Sequence, residues 1–317
     1  MIPASMSNIR QGLVVRTDAK VCHVEVDGRV QHAVPRGILF DGEQRNPVAV
    51  GDQVEIDLTS VPASLDRVLP RKNWLSRIAN SHDPREQVLA ANVDQLFAVA
   101  SVANPKFSSN RTDRIFAACM WQRIPTTLIL NKIDLGDPDD LAAIRATYEA
   151  MPIEVLETCA SDGRGIEAVR ERMAGRTTIF YGASGAGKSS LLNGLQPSLK
   201  LKVGKISRYW DQGKHTTSFS QIHTLAFDAR VIDTPGIRVF RPFGVPIGNL
   251  RDLFPEIVRY QVKCRFNGCS HDHEPECAVF DAVDRGDIAA SRYASYVEML
   301  DEVRTAKVSD EEDDAAE

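Results

Sequence analysis

The eight residues from Gly182 to Ser189, Gly-Ala-Ser-Gly-Ala-Gly-Lys-Ser, have the spacing G-x-x-x-x-G-K-[ST]. Glycines so placed let successive backbone N–H groups turn inward around phosphate oxygens. A lysine at this point reaches the β- and γ-phosphates, and the serine hydroxyl coordinates Mg²⁺. The context is the one such a loop needs: an apolar run, Thr178–Tyr181, precedes it and a helical run, Ser189 to Leu195, follows. Gly182, Ala183, Ser184, Gly185, Ala186, Gly187, Lys188, Ser189 and the adjoining Ser190 are therefore candidate contacts to a nucleoside triphosphate with Mg²⁺.

Asn131-Lys132-Ile133-Asp134 follows a second apolar run, Thr126–Leu130. A carboxylate at Asp134 can accept paired hydrogen bonds from N1–H and the exocyclic amine of guanine. Adenine lacks that donor pair, so the carboxylate would face an unpaired acceptor at a desolvation cost, and GTP is favoured over ATP. Thr158-Cys159-Ala160-Ser161 comes after the next apolar run, and a backbone N–H of Cys159 or Ala160 could meet the guanine carbonyl.

Asp233-Thr-Pro-Gly236 closes another apolar strand, where the aspartate suits an outer-sphere hold on Mg²⁺ and the Gly236 N–H can sense a γ-phosphate. Between it and the phosphate loop stands Lys214-His215-Thr216-Thr217. A threonine hydroxyl there can complete the Mg²⁺ shell only while a triphosphate is bound, which makes the segment a switch. Thr217 is the favoured residue and Thr216 the alternative. Farther on, Cys264-x4-Cys269-x-His271-x5-Cys277 offers three thiolates and one imidazole, the complement of a closed tetrahedral structural Zn²⁺ site. Four protein ligands leave no open position for metal catalysis.

These residues need elements to hold them. From Ile9 to Leu69 the alternation is that of strands: Val24 and Val26, an Asp27-Gly28 turn, then Val30, His32 and Val34. Val48 and Val50, Gly51-Asp52, then Val54, Ile56 and Leu58 repeat the arrangement, so a small OB-type β-barrel is expected, with the basic stretch Arg67 to Arg77 as connector. After Asn80 apolar runs alternate with helical stretches. Gln95–Val102 and Thr126–Leu130 read as buried parallel strands around a helix at Arg111–Gln122, and Ile153–Leu156, Thr178–Tyr181, Ile222–Phe227 and Val231–Ile232 supply further strands of an open α/β sheet. The expected division is a barrel at 1–75, an α/β nucleotide-binding domain at 76–240, a metal-binding, partly helical domain at 241–308 with a helix near 288–307, and a disordered acidic tail at 309–317.

Composition agrees with a folded chain of two or three units, at roughly 100–200 residues each. Hydrophobic residues make up 43% and charged residues 26% of 317, which excludes wholesale disorder and fibrous repeats. No apolar run approaches a membrane span and Met1 to Gly12 lacks the apolar core of a signal peptide, so a cytoplasmic location is expected. The net charge of −5 conceals an uneven distribution, because six of the 43 acids lie between Asp310 and Glu317 and 37 remain against 38 basic residues. From Lys200 to Lys214 five basic residues stand against Asp211 alone, a stretch that could face phosphate. Cys22, Cys119 and Cys159, scattered in apolar surroundings, read as buried thiols.

The order of the motifs is diagnostic. In an ordinary G domain N-K-x-D follows the phosphate loop and D-x-x-G, whereas here it precedes the phosphate loop by about fifty residues. The α/β domain therefore reads as a circularly permuted P-loop GTPase domain, and the chain leaving Gly236 runs directly into the C-terminal region, where nucleotide state can act. With its barrel and cysteine-rich end the chain resembles, over nearly its whole length, the circularly permuted ribosome small-subunit-dependent GTPase family (RsgA). The resemblance implies an OB-fold, a zinc-bearing C-terminal domain with Cys264, Cys269, His271 and Cys277 as ligands and His273 outside the shell, binding to the 30S subunit and its 16S rRNA, and a role in late subunit maturation. A monomer is expected. The residue after D-x-x-G, often a water-orienting Gln, is Ile237, so hydrolysis of GTP to GDP needs another group. His215 could position water or could instead be solvated or contact rRNA; the resemblance points to the catalytic role. His23 and His223 lie in strand-like stretches and read as packing or surface residues. The alternative to a ribosome-stimulated GTPase is a GTP-dependent RNA-binding switch that scarcely hydrolyses.

Overall fold

The computed structural model describes residues 8–18, 20–40, 42, 44–80, 83–201, 220–233 and 240–314. Five strands, β1 (Ile9–Thr17), β2 (Cys22–Val26), β3 (Arg29–Pro35), β4 (Gln53–Asp57) and β5 (Ala63–Val68), lie in the order β1-β2-β3-β5-β4, and β4 pairs back onto β1 to close the barrel. Val14, Val24, Val54, Ile56 and Leu65 fill its interior. The Asp27-Gly28 turn forms as expected, both residues having positive φ, +50° and +73°, as a two-residue hairpin turn requires. That turn also sets a register the valine pattern did not anticipate. It pairs Cys22 with Ala33 and His23 with His32, so Ala33 points inward while Val30 and Val34 face outward, 54% and 38% exposed.

Val48 to Val50, expected as a strand, belongs to none. Both valines are buried, but the backbone here is committed to a corner. Gly51 N–H donates to Val14 O (2.8 Å), Val14 N–H to Asp52 O (2.9 Å) and Ala91 N–H to Val50 O (2.8 Å). The fully buried Asp52 carboxylate accepts from Ala49 N–H (2.8 Å) and from both Arg71 Nε (2.7 Å) and Nη2 (2.8 Å). The expected connector likewise contains the end of β5 and the start of β6 (Trp74–Asn80), which pairs with β7 (Asp83–Ala91) in a separate ribbon. Glu86 holds that ribbon by accepting from Trp74 Nε1 (2.8 Å) and Gln44 Nε2 (2.9 Å).

The α/β unit follows the expected rhythm: β8 (Gln95–Ser101), α1 (Ser109–Trp121), β9 (Thr126–Asn131), α2 (Pro138–Glu149), β10 (Glu154–Thr158), α3 (Ile166–Met173), β11 (Thr177–Tyr181), α4 (Lys188–Leu195), β12 (Gln221–Leu225) and β13 (Ala229–Asp233). Strands β10-β9-β8-β11-β13 are parallel neighbours in that order; β12 adds antiparallel and meets β1 of the barrel at Gln221 and Arg16. The continuous apolar run of β8 is explained by burial on both faces. Leu96 and Ala98 join α1 and α2 in one core, Phe97 and Val99 join α3 and α4 in the other.

The C-terminal region comprises α5 (Pro255–Gln261), α6 (Ala278–Asp284) and α7 (Ala290–Asp314) around Leu250, Phe254, Tyr296 and Met299. Helix α7 overruns the expected 288–307, and the acid-rich end, expected without structure, continues as helical backbone to Asp314. Once a helix is nucleated by its packed turns, each added residue costs little. Among the described residues no helix is long and apolar enough to cross a membrane.

The corner predicts a contrast between two glycines. Gly51 has φ +91° and a Cβ there would lie 2.0 Å from Ala91 O, whereas Gly28 has φ +73° with nothing within 4 Å. Gly28→Ala should cost about 1 kcal/mol of left-handed strain, and Gly51→Ala about 3 kcal/mol or more because backbone must also move. Urea unfolding compares them; equal losses would mean the corner is not tight.

Candidate nucleotide site and cysteine-histidine centre

All five parallel strands end on the same edge of the sheet, where ligands of such sheets bind. The phosphate-loop candidates connect β11 to α4 there. Gly182 sits where a Cβ would lie 2.2 Å from Val99 O on β8, so the loop starts in close backbone contact with its neighbour strand. Gly185 and Gly187 have φ of +83° and +98°, the left-handed turns that aim N–H groups inward. Lys188 opens α4, and its ammonium donates to Gly182 O (2.6 Å) and Ala183 O (3.2 Å) across the loop mouth. Entering phosphate oxygens would take up these donors, with the N-terminus of α4 adding a favourable dipole. Ser189 is buried in the first turn beside it.

Asn131 ends β9 and is buried. Its Nδ2 donates to Ala186 O in the phosphate loop (2.9 Å), and its Oδ1 accepts from Thr158 Oγ1 at the end of β10 (3.1 Å). The same amide explains the last loop glycine: a Cβ on Gly187 would sit 2.1 Å from Asn131 Nδ2. Lys132 adopts φ 63°, ψ 38° and donates to Asn104 O, after which the short turn Ile133–Leu135 presents Asp134 to solvent. The structure thus brings the phosphate-loop and N-K-x-D candidates together.

One contact escaped the sequence reading. Cys159 is fully buried and its Sγ lies 3.1 Å from Asp134 Oδ1 and 3.0 Å from Ser161 Oγ, so this thiol steadies the Asp134 carboxylate. Its N–H is committed to Arg164 O (3.0 Å), so it is not the one of the two candidate N–H groups that can turn to a base carbonyl. No spacing rule announces such a contact, since it depends on β10 lying beside β9.

Lys202 to Lys214, His215, Thr216, Thr217, Gly236 and Ile237 lie outside the described residues. Asp233 ends β13 at backbone level with Phe180 of β11, one residue short of the strand end that leads into the phosphate loop. His23 pairs with Asp18 (2.9 Å) and meets His32 edge-on, ring centroids 4.7 Å apart.

Cys264, Cys269, His271 and Cys277 converge between α5 and α6, their ligand atoms all within 4.8 Å of one another. His271 Nδ1 stands 3.6 Å from Cys264 Sγ and 3.5 Å from Cys277 Sγ, and those sulfurs are 3.9 Å apart. Zn–S bonds of about 2.3 Å in a tetrahedron give an edge of about 3.8 Å, so the donor set fits this ion. Burial and the nearby Arg251 charge hold His271 below its ordinary pKa, favouring the neutral imidazole that a metal needs. The carbonyls of His271 and Ser270 are fixed by Tyr293 Oη (2.8 Å) and Tyr296 Oη (2.7 Å) of α7. His273 is exposed and turned to Asp272, apart from the cluster. Asp272 and Glu274 spend their carboxylates on Ser270 and Arg304, bracing the loop.

A G-x-x-x-x-G-K-S loop joined to N-K-x-D in permuted order, between a barrel and a cysteine-histidine centre, has close relatives. The family described as RsgA GTPase matches residues 68–242, more than half of the chain. The Small ribosomal subunit biogenesis GTPase RsgA 2 of Bacteroides thetaiotaomicron is 37% identical over 304 residues, 94% of this chain and 98% of that relative. The Chlorobaculum tepidum Small ribosomal subunit biogenesis GTPase RsgA is 36% identical over 93% of this chain and 99% of its own. Among solved structures, YjeQ from Thermotoga maritima superposes with a TM-score of 0.71 at 32% identity, covering 93% of this chain and 98% of that one. YloQ, a circularly permuted GTPase, gives 0.67 at 26% identity, covering 94% and 96%. Architecture and sequence kinship agree over nearly the whole length, and the chain belongs to the RsgA GTPase family of GTP hydrolases.

Proposed function

We propose that this GTP hydrolase acts in late maturation of the small ribosomal subunit, binding the 30S particle and its 16S rRNA in the cytoplasm as a monomer that 30S stimulates. The observation that carries the site assignment is the 2.9 Å bond from Asn131 to Ala186, which sets the base-reading and phosphate-reading loops side by side. The relatives' names, which speak of small ribosomal subunit biogenesis, support the role.

In this reading Gly182 to Ser190 cradle the phosphates, with Lys188 moving its donors from loop carbonyls to the β- and γ-phosphates. Asp134, held by Cys159, accepts from guanine, while Asn131, Lys132 and Ile133 shape the pocket. Ser189, Thr217 and Asp233 would hold Mg²⁺, which supplies charge neutralisation at the phosphates, and Gly236 reports the γ-phosphate. His215 positions the attacking water, the task that Ile237 lacks the chemistry to perform. Cys264, Cys269, His271 and Cys277 hold one structural Zn²⁺, with His273 outside.

Exchanging an acceptor for a donor at Asp134 should move base preference. Asp134→Asn is expected to weaken GTP binding at least tenfold and to favour xanthosine nucleotides, whose base presents a carbonyl there. Calorimetry with both nucleotides checks this, and unchanged GTP affinity would reject the assignment.

Metal is expected to be coupled to folding of the loop 264–277, which has no helix or strand of its own. Elemental analysis should find one zinc per chain, and Cys269→Ala should weaken 30S binding while free-nucleotide affinity stays near wild type. A chain purified without stoichiometric zinc contradicts the centre.

Turnover should be slow alone and rise with 30S subunits. His215→Ala should lose on the order of 10²-fold of the stimulated rate, the size expected of one positioned water contact, yet keep GTP-dependent 30S binding. Full stimulation in a variant that binds normally would place the catalytic group elsewhere.

A further inference from the structure

Helix α7 touches two places at once. On one side Tyr293 and Tyr296 hold the carbonyls of His271 and Ser270, and Arg304 reaches Asp272 and Ser270, so the helix braces the cysteine-histidine loop. On the other it is tied to α1 by charges. Arg292 Nη1 pairs with Asp113 Oδ1 at 2.7 Å, the two side chains 3% and 0% exposed, while its Nε pairs with Glu256 Oε1 at 2.7 Å. Arg114, also 3% exposed, takes Glu302 through both terminal nitrogens (2.6 and 2.8 Å) and Glu298 at 3.2 Å. Asn110 donates to the other oxygen of Glu298 at 2.7 Å.

Helix α1 is in turn fastened to the base-reading loop. Asn104, four residues before its cap at Ser108, accepts from Lys132 of N-K-x-D. Tyr148, in the last turn of the helix that follows Asp134, donates to Asp113 Oδ1 at 2.7 Å, the same oxygen that receives Arg292. One buried carboxylate therefore joins the element behind the guanine loop to the helix that braces the metal loop.

Such a junction does not yield gradually. Arginine cannot shed its proton, and a buried ion left without its partner costs several kcal/mol, so the joint is either whole or parted. An element with two discrete states transmits a bias from one end to the other. We infer that α7 couples the guanine site to the cysteine-histidine centre: a bound guanine nucleotide fixes α1, and through the Asp113–Arg292 and Arg114–Glu302 pairs it tightens α7 and the loop it braces. The coupling is reciprocal, and it rests on the base-reading role proposed for Asp134.

Hydrogen exchange on the full-length, zinc-loaded chain, with and without saturating GDP, tests it. GDP should slow exchange in residues 293–305 and 264–277 about tenfold, within the span usual for coupled sites. Glu298→Gln with Glu302→Gln changes two partly exposed side chains of unaltered shape, so the fold should persist. That protection should then fall below threefold, and GDP affinity should weaken by the ratio lost. Asp113→Asn with Arg292→Gln is the harsher version; if it does not fold, the glutamate pair alone decides. If calorimetry shows GDP bound while α7 exchange is indifferent to it, or if the glutamate variant keeps full protection, the coupling is overturned. Wild-type chain that fails to bind GDP overturns both the coupling and the base-reading assignment, whereas loss of coupling with intact, Asp134-dependent binding leaves the latter standing.

Discussion

The side chain of Asn131 is the contact on which the candidate nucleotide site depends. It is buried, and its donor and acceptor are both used, by Ala186 in the phosphate loop and by Thr158 at the end of the neighbouring strand. A buried amide so satisfied fixes the geometry of everything it touches, because losing either partner would strand a polar group away from water. Three loops from three strands are set in one step, and Gly187 is the residue that lets the amide come so near.

Permutation leaves this arrangement intact because contacts depend on neighbours in space and not on chain order. Strands β9, β8 and β11 lie together although their segments are joined in an unusual sequence. What permutation changes is attachment. The chain enters the parallel sheet from the barrel corner, where Asp52 and Arg71 form a buried pair, and leaves β13 towards the cysteine-histidine region. The candidate nucleotide-binding loops are thereby placed between two appended units.

Helix α1 shows how those units are joined. It is buried from Thr112 to Cys119 nearly all round, an unusual state for a helix carrying Asp113 and Arg114. One side packs on the sheet through Ile115, and Ala117 enters the C-terminal core. Burial disfavours the Arg292 charge, but Asp113 and Glu256 outweigh it and raise its pKa, while burial pushes the Asp113 carboxyl above its ordinary pKa against the pull of Arg292. Buried ion pairs seldom add net stability over apolar packing, and their value here lies in fixing which face of α7 meets α1.

Elements whose signals are local can be read from residue order alone. The parallel strands follow from apolar runs, and the convergence of Cys264, Cys269, His271 and Cys277, which could hold a metal ion, joins near neighbours in sequence. Tertiary structure decided the rest. Whether Val48 to Val50 would be a strand depended on Val14 and Ala91, far along the chain, taking its hydrogen bonds. Which face of β3 turns inward was settled by the hairpin register, not by where its valines fall. The thiol of Cys159 against Asp134, and the charges of α1 against α7, are pairings between residues 25 and more than 170 positions apart. Local pattern records what a residue's neighbours in sequence require of the backbone; it carries no trace of a partner that only the folded sheet brings within 3 Å.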